Sequence, residues 1–210
     1  MIRFTGFRKF YSRRLIVSAD EVEIPEGISR ISGVNGSGKT TLFRCIAGMI
    51  PFLGSVRLFG VDPKKNPIAY RRLVSFSDAK PDYPGFLTGL DLLKYFCAVR
   101  NFSMNRTGAL QKDFGVAEFI ADKVETYSEG MHKRLSLLLA FIGSPRLIIL
   151  DEPFAFLDRE GQLKLLDMVN ERLLREKINF LLSNHISGSF HGIGFIGEFR
   201  IENHRLLKVD

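Results

Sequence analysis

From Met1 to Ile24, apolar and polar positions alternate. Ile2 and Phe4 stand between polar neighbours, as do Val22 and Ile24, which predicts short strands. Pro25-Glu26-Gly27 reads as a turn, and Ile28 to Ser32 as the next strand. That strand is less apolar than one buried on both faces usually is, because Ser29, Arg30 and Ser32 interrupt it. A helix is expected from about Thr40 to Ala47. Pro51 to Gly54 is a break, and Ser55 to Phe59 is an alternating strand. Tyr70 to Leu73 leads into the short strand Val74-Ser75-Phe76, which ends at Ser77-Asp78. Pro81, Pro84 and Gly85 mark a loop. Thr88, with Asp91 at the capping-box position, opens a helix reaching about Arg100. Thr107 to Val124 reads as one or two short helices.

Ser128 to Phe141 is a further predicted helix with a polar start. Arg146-Leu147-Ile148-Ile149-Leu150 is a continuous apolar run, the pattern of a strand covered on both faces, and it ends in Asp151-Glu152-Pro153. Leu163, Leu166, Val169 and Leu173 then recur at helical spacing. Ile178 to Leu182 is another buried strand, ending at Ser183-Asn184-His185. Phe190 to Val209 reads as a terminal hairpin turning at Glu202-Asn203-His204. Strands alternating with helices predict an α/β class, with a mostly helical stretch from Phe86 to Thr126 inserted between halves of a sheet.

A chain of 210 residues is long enough for one α/β domain and a small inserted subdomain. No apolar run approaches the ~18 residues a membrane span needs. The nearest, Leu135 to Ile142, is broken by Ser136 and stopped by Gly143-Ser144-Pro145. Phe7 to Arg14 is basic and aromatic with no apolar segment after it, so no signal peptide is expected. Cys45 and Cys97 fall in predicted helices and read as small core residues, which suits a reduced, cytoplasmic setting. The net charge is +7. Arg3, Arg8, Lys9, Arg13 and Arg14 meet no acid before Asp20. This bias suits first a solvated basic edge that draws in an anionic nucleotide, and second an anionic membrane surface. No basic and aromatic array suggests a nucleic-acid platform, and no nucleic acid is expected.

The strongest chemical signal is Gly33-Val34-Asn35-Gly36-Ser37-Gly38-Lys39-Thr40, followed by Thr41. It matches G-x-x-x-x-G-K-[ST], in which glycines let successive backbone N–H groups turn towards phosphate oxygens. Lys39 would reach the β- and γ-phosphates of a nucleotide, and the Thr40 hydroxyl would ligate Mg²⁺. The helix that follows adds its free N-terminal N–H groups. Asp151 ends the apolar strand where a carboxylate can hold Mg²⁺, and Glu152 stands where it can orient or deprotonate an attacking water. His185 also ends a strand, where an imidazole can bond the γ-phosphate or that water. His132, His191 and His204 have no such context. Gly192-Ile193-Gly194-Phe195-Ile196-Gly197 matches a dinucleotide fingerprint. Glu198-Phe199-Arg200-Ile201 then alternates like a strand where that fingerprint needs a helix, so it reads as a turn.

These motifs, in this order and over nearly the whole chain, resemble the ATP-binding subunits of ATP-binding-cassette (ABC) transporters. Tyr127-Ser128-Glu129-Gly130-Met131 stands where that family carries its signature, usually Leu-Ser-Gly-Gly-Gln, and keeps Ser128 and Gly130. Ala155-Phe156-Leu157-Asp158 resembles the D-loop, and His185 the switch histidine. Tyr11 sits where the family stacks an aromatic on adenine, with Phe10 as a competitor. The resemblance implies a P-loop NTPase core: a mostly parallel sheet flanked by helices, with an N-terminal antiparallel β subdomain. Residues 1–210 would form one ABC domain, with 1–85 and 127–210 as core and β subdomain and 86–126 as a helical subdomain. It implies ATP and Mg²⁺ as cofactors and a second ATPase subunit, identical or not, bound head to tail. In that pair Ser128, Glu129 and Gly130 meet the ATP held by the partner. It also implies a separate membrane permease, with this chain cytoplasmic and peripheral on the inner face of the membrane. The signature variant leans towards export. One departure is Asp78, which stands where the family's glutamine loop has glutamine. It would offer Mg²⁺ a shorter, charged carboxylate and add negative charge near the γ-phosphate. An alternative alignment leaves it outside the site. A soluble ABC-type ATPase in cluster assembly or in nucleic-acid or ribosome work is the second reading. Thr41 to Thr126 lacks the sustained heptads of chromosome-organising relatives, and the chain carries one cassette where translation-factor relatives carry two. A nucleotide-gated binding subunit with a weak active site is the third reading, which Asp78 favours and Glu152 and His185 oppose.

Overall fold

The computed structural model describes residues 1–184 and 194–209. The strands are β1 (Ile2–Tyr11), β2 (Arg14–Ile24), β3 (Ile28–Ser32), β4 (Leu53–Leu58), β5 (Val74–Ser77), β6 (Leu147–Leu150), β7 (Asn179–Asn184), β8 (Gly197–Glu202) and β9 (Arg205–Lys208). The helices are α1 (Lys39–Ile46), α2 (Pro67–Leu73), α3 (Gly89–Arg100), α4 (Thr107–Asp113), α5 (Glu129–Ala140) and α6 (Arg159–Glu176). This is the α/β class that the sequence predicts.

All the strands join one sheet in the order β4-β1-β2-β9-β8-β3-β7-β6-β5. From β8 to β5 neighbouring strands run parallel. At the other edge β4, β1 and β2 form an antiparallel wing. The wing meets the rest of the sheet through a single parallel pair, Ser18 with Arg205. There the Ser18 N–H and hydroxyl both donate to the His204 carbonyl, at 2.8 and 2.9 Å.

β1 and β2 are longer than the alternation alone predicts. Ile2 and Phe4 point inward at even positions, but Phe7 and Lys9 point inward at odd ones. The parity switches at Gly6, where the pairing of β1 with β4 shifts register between Thr5 and Arg8. The partner position is built for this. Gly54 has φ +78, and a Cβ there would lie 2.2 Å from the Gly6 carbonyl oxygen, so only glycine fits.

The sheet separates two cores. Along β6, Leu147 and Ile149 face α1 and the wing, while Ile148 and Leu150 face α3, α5 and α6. β7 splits in the same way, with Leu181 on one side and Phe180 and Leu182 on the other. This explains the continuous apolar run: both parities are buried. Two of the three polar residues of β3 find partners, while the buried Ser29 hydroxyl makes no hydrogen bond among the described residues. Arg30 pairs with Glu198 on β8 at 2.6 Å, and the Ser32 hydroxyl donates to the Phe199 carbonyl at 3.1 Å.

The region from β5 to α5 contains α3, α4 and short 3₁₀ turns. α3 starts as predicted: the Thr88 hydroxyl accepts from Asp91 N, and the Asp91 carboxylate accepts from Thr88 N, a reciprocal cap worth about 1 kcal/mol. The apolar face of α6 is the predicted one at Leu166, Val169 and Leu173 and differs at its first residue. Leu163 is 55 % exposed, and the buried stripe is centred on Leu165 and Val169, with Leu166, Met168 and Leu173 at its margin. The prediction thus starts the stripe on Leu163, where the fold starts it on Leu165. The terminal hairpin turns at Asn203 and His204, both with positive φ, as a two-residue turn between twisted strands requires.

Candidate functional site

β3 ends at Ser32, and the chain loops through Gly33 to Gly38 before entering α1. Gly38 has φ +104, and a Cβ there would press on Ile16 of β2 at 3.1 Å. The loop is therefore wedged against the wing, and glycine is required for backbone conformation and space alike. α1 begins with no side-chain cap and no acid in its first turn. Its leading N–H groups thus remain available to an anion.

Lys39 is nearly buried, and its Nζ donates to the carbonyls of Gly33 at 2.8 Å and Val34 at 3.2 Å. The ammonium spans the loop from the inside. Burial pushes its pKa down, and the carboxylates of Glu152 and Asp151 push back. Thr40 Oγ1 donates to Asp151 Oδ2 at 2.5 Å, joining the phosphate-loop helix to the end of β6. Thr41 follows within the first turn of α1.

Asp151 is fully buried. Its other oxygen accepts from the Ser183 hydroxyl at the end of β7, and that hydroxyl accepts from Glu152 N–H at 2.8 Å. Burial raises the Asp151 pKa, while the bonds from Ser183 and Thr40 and the charge of Lys133 pull it back. Ser183 thus fixes both acids at once. Glu152 has φ +47, a left-handed conformation uncommon for a side chain of its size. His185 lies outside the described residues, as do Gly192 and Ile193 of the dinucleotide-like motif. Gly197, at the end of that motif, opens a strand.

Asp78 follows β5. Its Oδ2 accepts from Arg44 of α1 at 2.8 and 2.7 Å, and its Oδ1 accepts from Lys80 N at 3.2 Å. The carboxylate is thus held by the phosphate-loop helix. Lys133 Nζ, from α5, donates to the Asp78 carbonyl at 2.9 Å and to the Asp151 carbonyl at 2.5 Å. Burial pushes the Lys133 pKa down to about 8, against the opposing pull of Asp151, Asp78 and Glu152. Arg44, Lys133 and Ser183 were not singled out by the sequence motifs. The one sequence signal was their placement, on helices beside the motifs or at the end of an apolar strand.

A second group lies at the starts of α5 and α6. Ser128 caps α5, its hydroxyl accepting from Met131 N at 3.2 Å, and Glu129 and Gly130 form the first turn. Asp158 caps α6, accepting from Gly161 N at 2.9 Å. The two starts are close. A Cβ on Gly130 would lie 3.6 Å from the Phe156 carbonyl, and Arg134 of α5 approaches Asp158 at 3.6 Å. Among the described residues, no hydrogen bond or ion pair joins Ser128, Glu129, Gly130 or Asp158 to the phosphate loop. Tyr11 stands at the tip of the β1–β2 hairpin, 48 % exposed, with Lys9 Nζ 4.7 Å from its ring centre. Phe10 beside it is 37 % exposed.

Thr40 and Asp151 present a hydroxyl and a carboxylate oxygen within contact of each other, at a site where nucleotide phosphates would add more oxygens. This hard-oxygen set fits Mg²⁺.

Residues 21–155 match a protein-family model described as "ABC transporter". The chain is 31 % identical over 189 residues to YdbJ of Bacillus subtilis, an uncharacterized ABC transporter ATP-binding protein, covering 89 % of this chain and 61 % of that one. It is 28 % identical over 207 residues to the lantibiotic transport ATP-binding protein SrtF of Streptococcus pyogenes, covering 96 % and 89 %. The chain thus spans about three fifths of the first relative's length and nine tenths of the second's. In fold it is similar to the ATP-binding cassette MJ0796, solved as a dimer in a post-hydrolysis state with ADP and Pi. The TM-score is 0.82 at 17 % identity, over 100 % of this chain and 99 % of that one. Among the described residues, no helix is long and apolar enough to cross a membrane.

Proposed function

The chain belongs to the ABC transporter family of ATPases, and from that premise we propose that it binds and hydrolyses Mg-ATP to drive a separate membrane permease. The observation that carries this reading is the Thr40–Asp151 hydrogen bond beneath a loop spanned by Lys39. It brings a phosphate cradle, a cation-holding pair and the start of a base-bearing strand end to one place.

In this reading Gly33, Val34, Asn35, Gly36, Ser37 and Gly38 turn their N–H groups to the phosphates, with Thr41 beside them. Lys39 exchanges its loop carbonyls for phosphate oxygens. Thr40 and Asp151 hold Mg²⁺, which supplies charge neutralisation on the phosphate oxygens when bound. Asp78 would join them as a cation ligand through Oδ1, since Arg44 occupies Oδ2. Glu152 holds and deprotonates the attacking water, and His185 bonds the γ-phosphate. Tyr11 stacks on adenine, with Lys9 behind its ring. Among the described residues, Ser128, Glu129, Gly130 and Asp158 make no hydrogen bond or ion pair with the phosphate loop of their own chain, which suits a head-to-tail dimer in which they reach the partner's ATP. MJ0796 was solved as a dimer, and that supports the arrangement. The signature variant at Tyr127 to Met131 favours export over import. The permease partner puts this chain on the cytoplasmic face of the membrane, with residues 86–126 as the subdomain that receives it.

Affinity capture of tagged Glu152→Gln protein from detergent-solubilised cells, with Mg-ATP present, tests this reading. The expected result is a stoichiometric polytopic membrane protein. Recovery from the soluble fraction with cluster-assembly proteins, ribosomes or DNA would overturn the permease assignment in favour of a soluble ATPase.

A second test addresses Asp78. Asp78→Gln severs the Arg44 pair and restores a neutral carbonyl. Turnover is expected to shift while nucleotide affinity holds, by at most about fivefold if the pair's full ~1 kcal/mol is felt in the transition state. Steady-state kinetics identical to the parent chain would put Asp78 outside the site.

A further inference from the structure

We infer that Lys133 is a positioning residue for ATP hydrolysis, a role that rests on the ATPase reading above. Its side chain is fully buried, and its ammonium bridges two main-chain carbonyls, those of Asp78 at 2.9 Å and Asp151 at 2.5 Å. The location of those carbonyls gives the contact its meaning. β5 and β6 are parallel neighbours whose last paired residues are Ser77 and Leu150. Asp151 N still donates to the Ser77 carbonyl at 2.9 Å, and there the backbone ladder stops. Asp78 and Asp151 are the first residues beyond it. Lys133 supplies one more rung, from a side chain, at the level where the strands give way to the loops that carry the chemistry.

Among the described residues, no other hydrogen bond reaches those two carbonyls. One turn along α5, Ser136 lies 3.0 Å, hydroxyl to hydroxyl, from Ser77, so the same helix face grips the strand ends twice. Arg44 holds the Asp78 carboxylate from the opposite side. The helix that begins with Ser128 is therefore joined to Asp151 directly, and through Asp78 to the phosphate-loop helix. Burying an ammonium is costly, and an apolar side chain of similar length would fill the same volume. What an apolar side chain cannot do is satisfy two carbonyls and fix the gap between them. Without that bridge the end of β6 loses a restraint immediately behind the Asp151 carboxylate and the Glu152 backbone. Lys133 touches neither nucleotide nor water in this scheme. It acts through Asp151 and Glu152, so its loss is read in the chemical step and spares binding.

Two substitutions test this in the full chain. Lys133→Met keeps the length and removes every donor. Lys133→Gln keeps N–H donors on a shorter arm that leaves one carbonyl unbridged. Steady-state Mg-ATP hydrolysis, equilibrium binding of a fluorescent ATP analogue and thermal unfolding are measured side by side. For Lys133→Met we expect kcat to fall by roughly tenfold or more, with KM and analogue affinity within about twofold of the parent. For Lys133→Gln we expect kcat between those of Lys133→Met and the parent, at unchanged KM. A folded Lys133→Met protein with parental kcat overturns the role, as does one in which KM rises while kcat holds. If Lys133→Met does not fold, Lys133→Gln carries the test alone, and parental kcat there overturns the role. Absence of ATP turnover in the unsubstituted chain overturns the reading beneath it, and the same assay reveals that before any variant is compared.

Discussion

Replacing Lys39 by alanine is expected to abolish ATP binding. Lys39 is the one cation between Gly33 and Thr40, and its Nζ already lies inside the loop, 2.8 and 3.2 Å from carbonyls that a bound phosphate would displace. Each charge-assisted hydrogen bond is worth about 1.5–3 kcal/mol, so losing two weakens binding by roughly 10² to 10⁴. The surroundings push the same way. Asp151 and Glu152 set up a negative field that raises the lysine's proton affinity against its burial. With alanine in place, that field faces the nucleotide's phosphates without the cation that lies inside the loop. Titration with a fluorescent ATP analogue measures the loss directly, and unchanged affinity would refute the assignment of the phosphate loop.

Glu152→Gln is expected to give the opposite split: ATP bound, hydrolysis nearly lost. Glutamine keeps the shape of the side chain, and the backbone N–H stays anchored on Ser183 Oγ at 2.8 Å. What goes is the basic carboxylate. Removing a positioned general base costs about 10² to 10⁴ in rate. The substitution also removes a negative charge from beside the phosphates, which favours the bound state. ATP that binds and does not turn over should hold two chains together. Light scattering of the variant with Mg-ATP should therefore report a dimer, and phosphate release should fall close to background. Turnover at the parental rate would exclude Glu152 as the group that activates water.

The parts of this molecule legible in its sequence are those in which one residue type serves one local purpose. Gly38 is glycine because its φ is +104 and Ile16 lies behind it, and the motif already implies both demands. Thr88 and Asp91 cap α3 through contacts three residues apart. Leu147 to Leu150 are apolar without a break because both faces of β6 are covered. The illegible parts depend on residues far apart in the chain. Arg44 meets Asp78 across 34 positions, Lys133 meets Asp78 across 55, and Ser183 meets Asp151 across 32. Nothing in the local pattern distinguishes Arg44 from an exposed helix arginine, or Lys133 from a solvated one. The length of β1 was hidden by a different mechanism. A bulge at Gly6 flips which parity faces inward, so a strand of 10 residues reads as two shorter pieces. On α6, tertiary packing chose Leu165 over Leu163, a distinction that helical spacing alone does not make.

The single pair that joins the antiparallel wing to the rest of the sheet bears on how the chain matures. Ser18 and His204 are 186 residues apart in sequence, yet their contact closes the sheet between the half that carries Tyr11 and the half that carries the phosphate loop. On a ribosome, the β1–β2 hairpin and the phosphate loop emerge early, and both wait for β9. Local hairpins and helices form first, and the seam, which closes the longest loop, forms last. A nascent chain halted before Arg205 would thus carry every residue of the phosphate cradle in a sheet still split into two edges. Those two open edges are the places where a stalled chain would pair with the wrong neighbour.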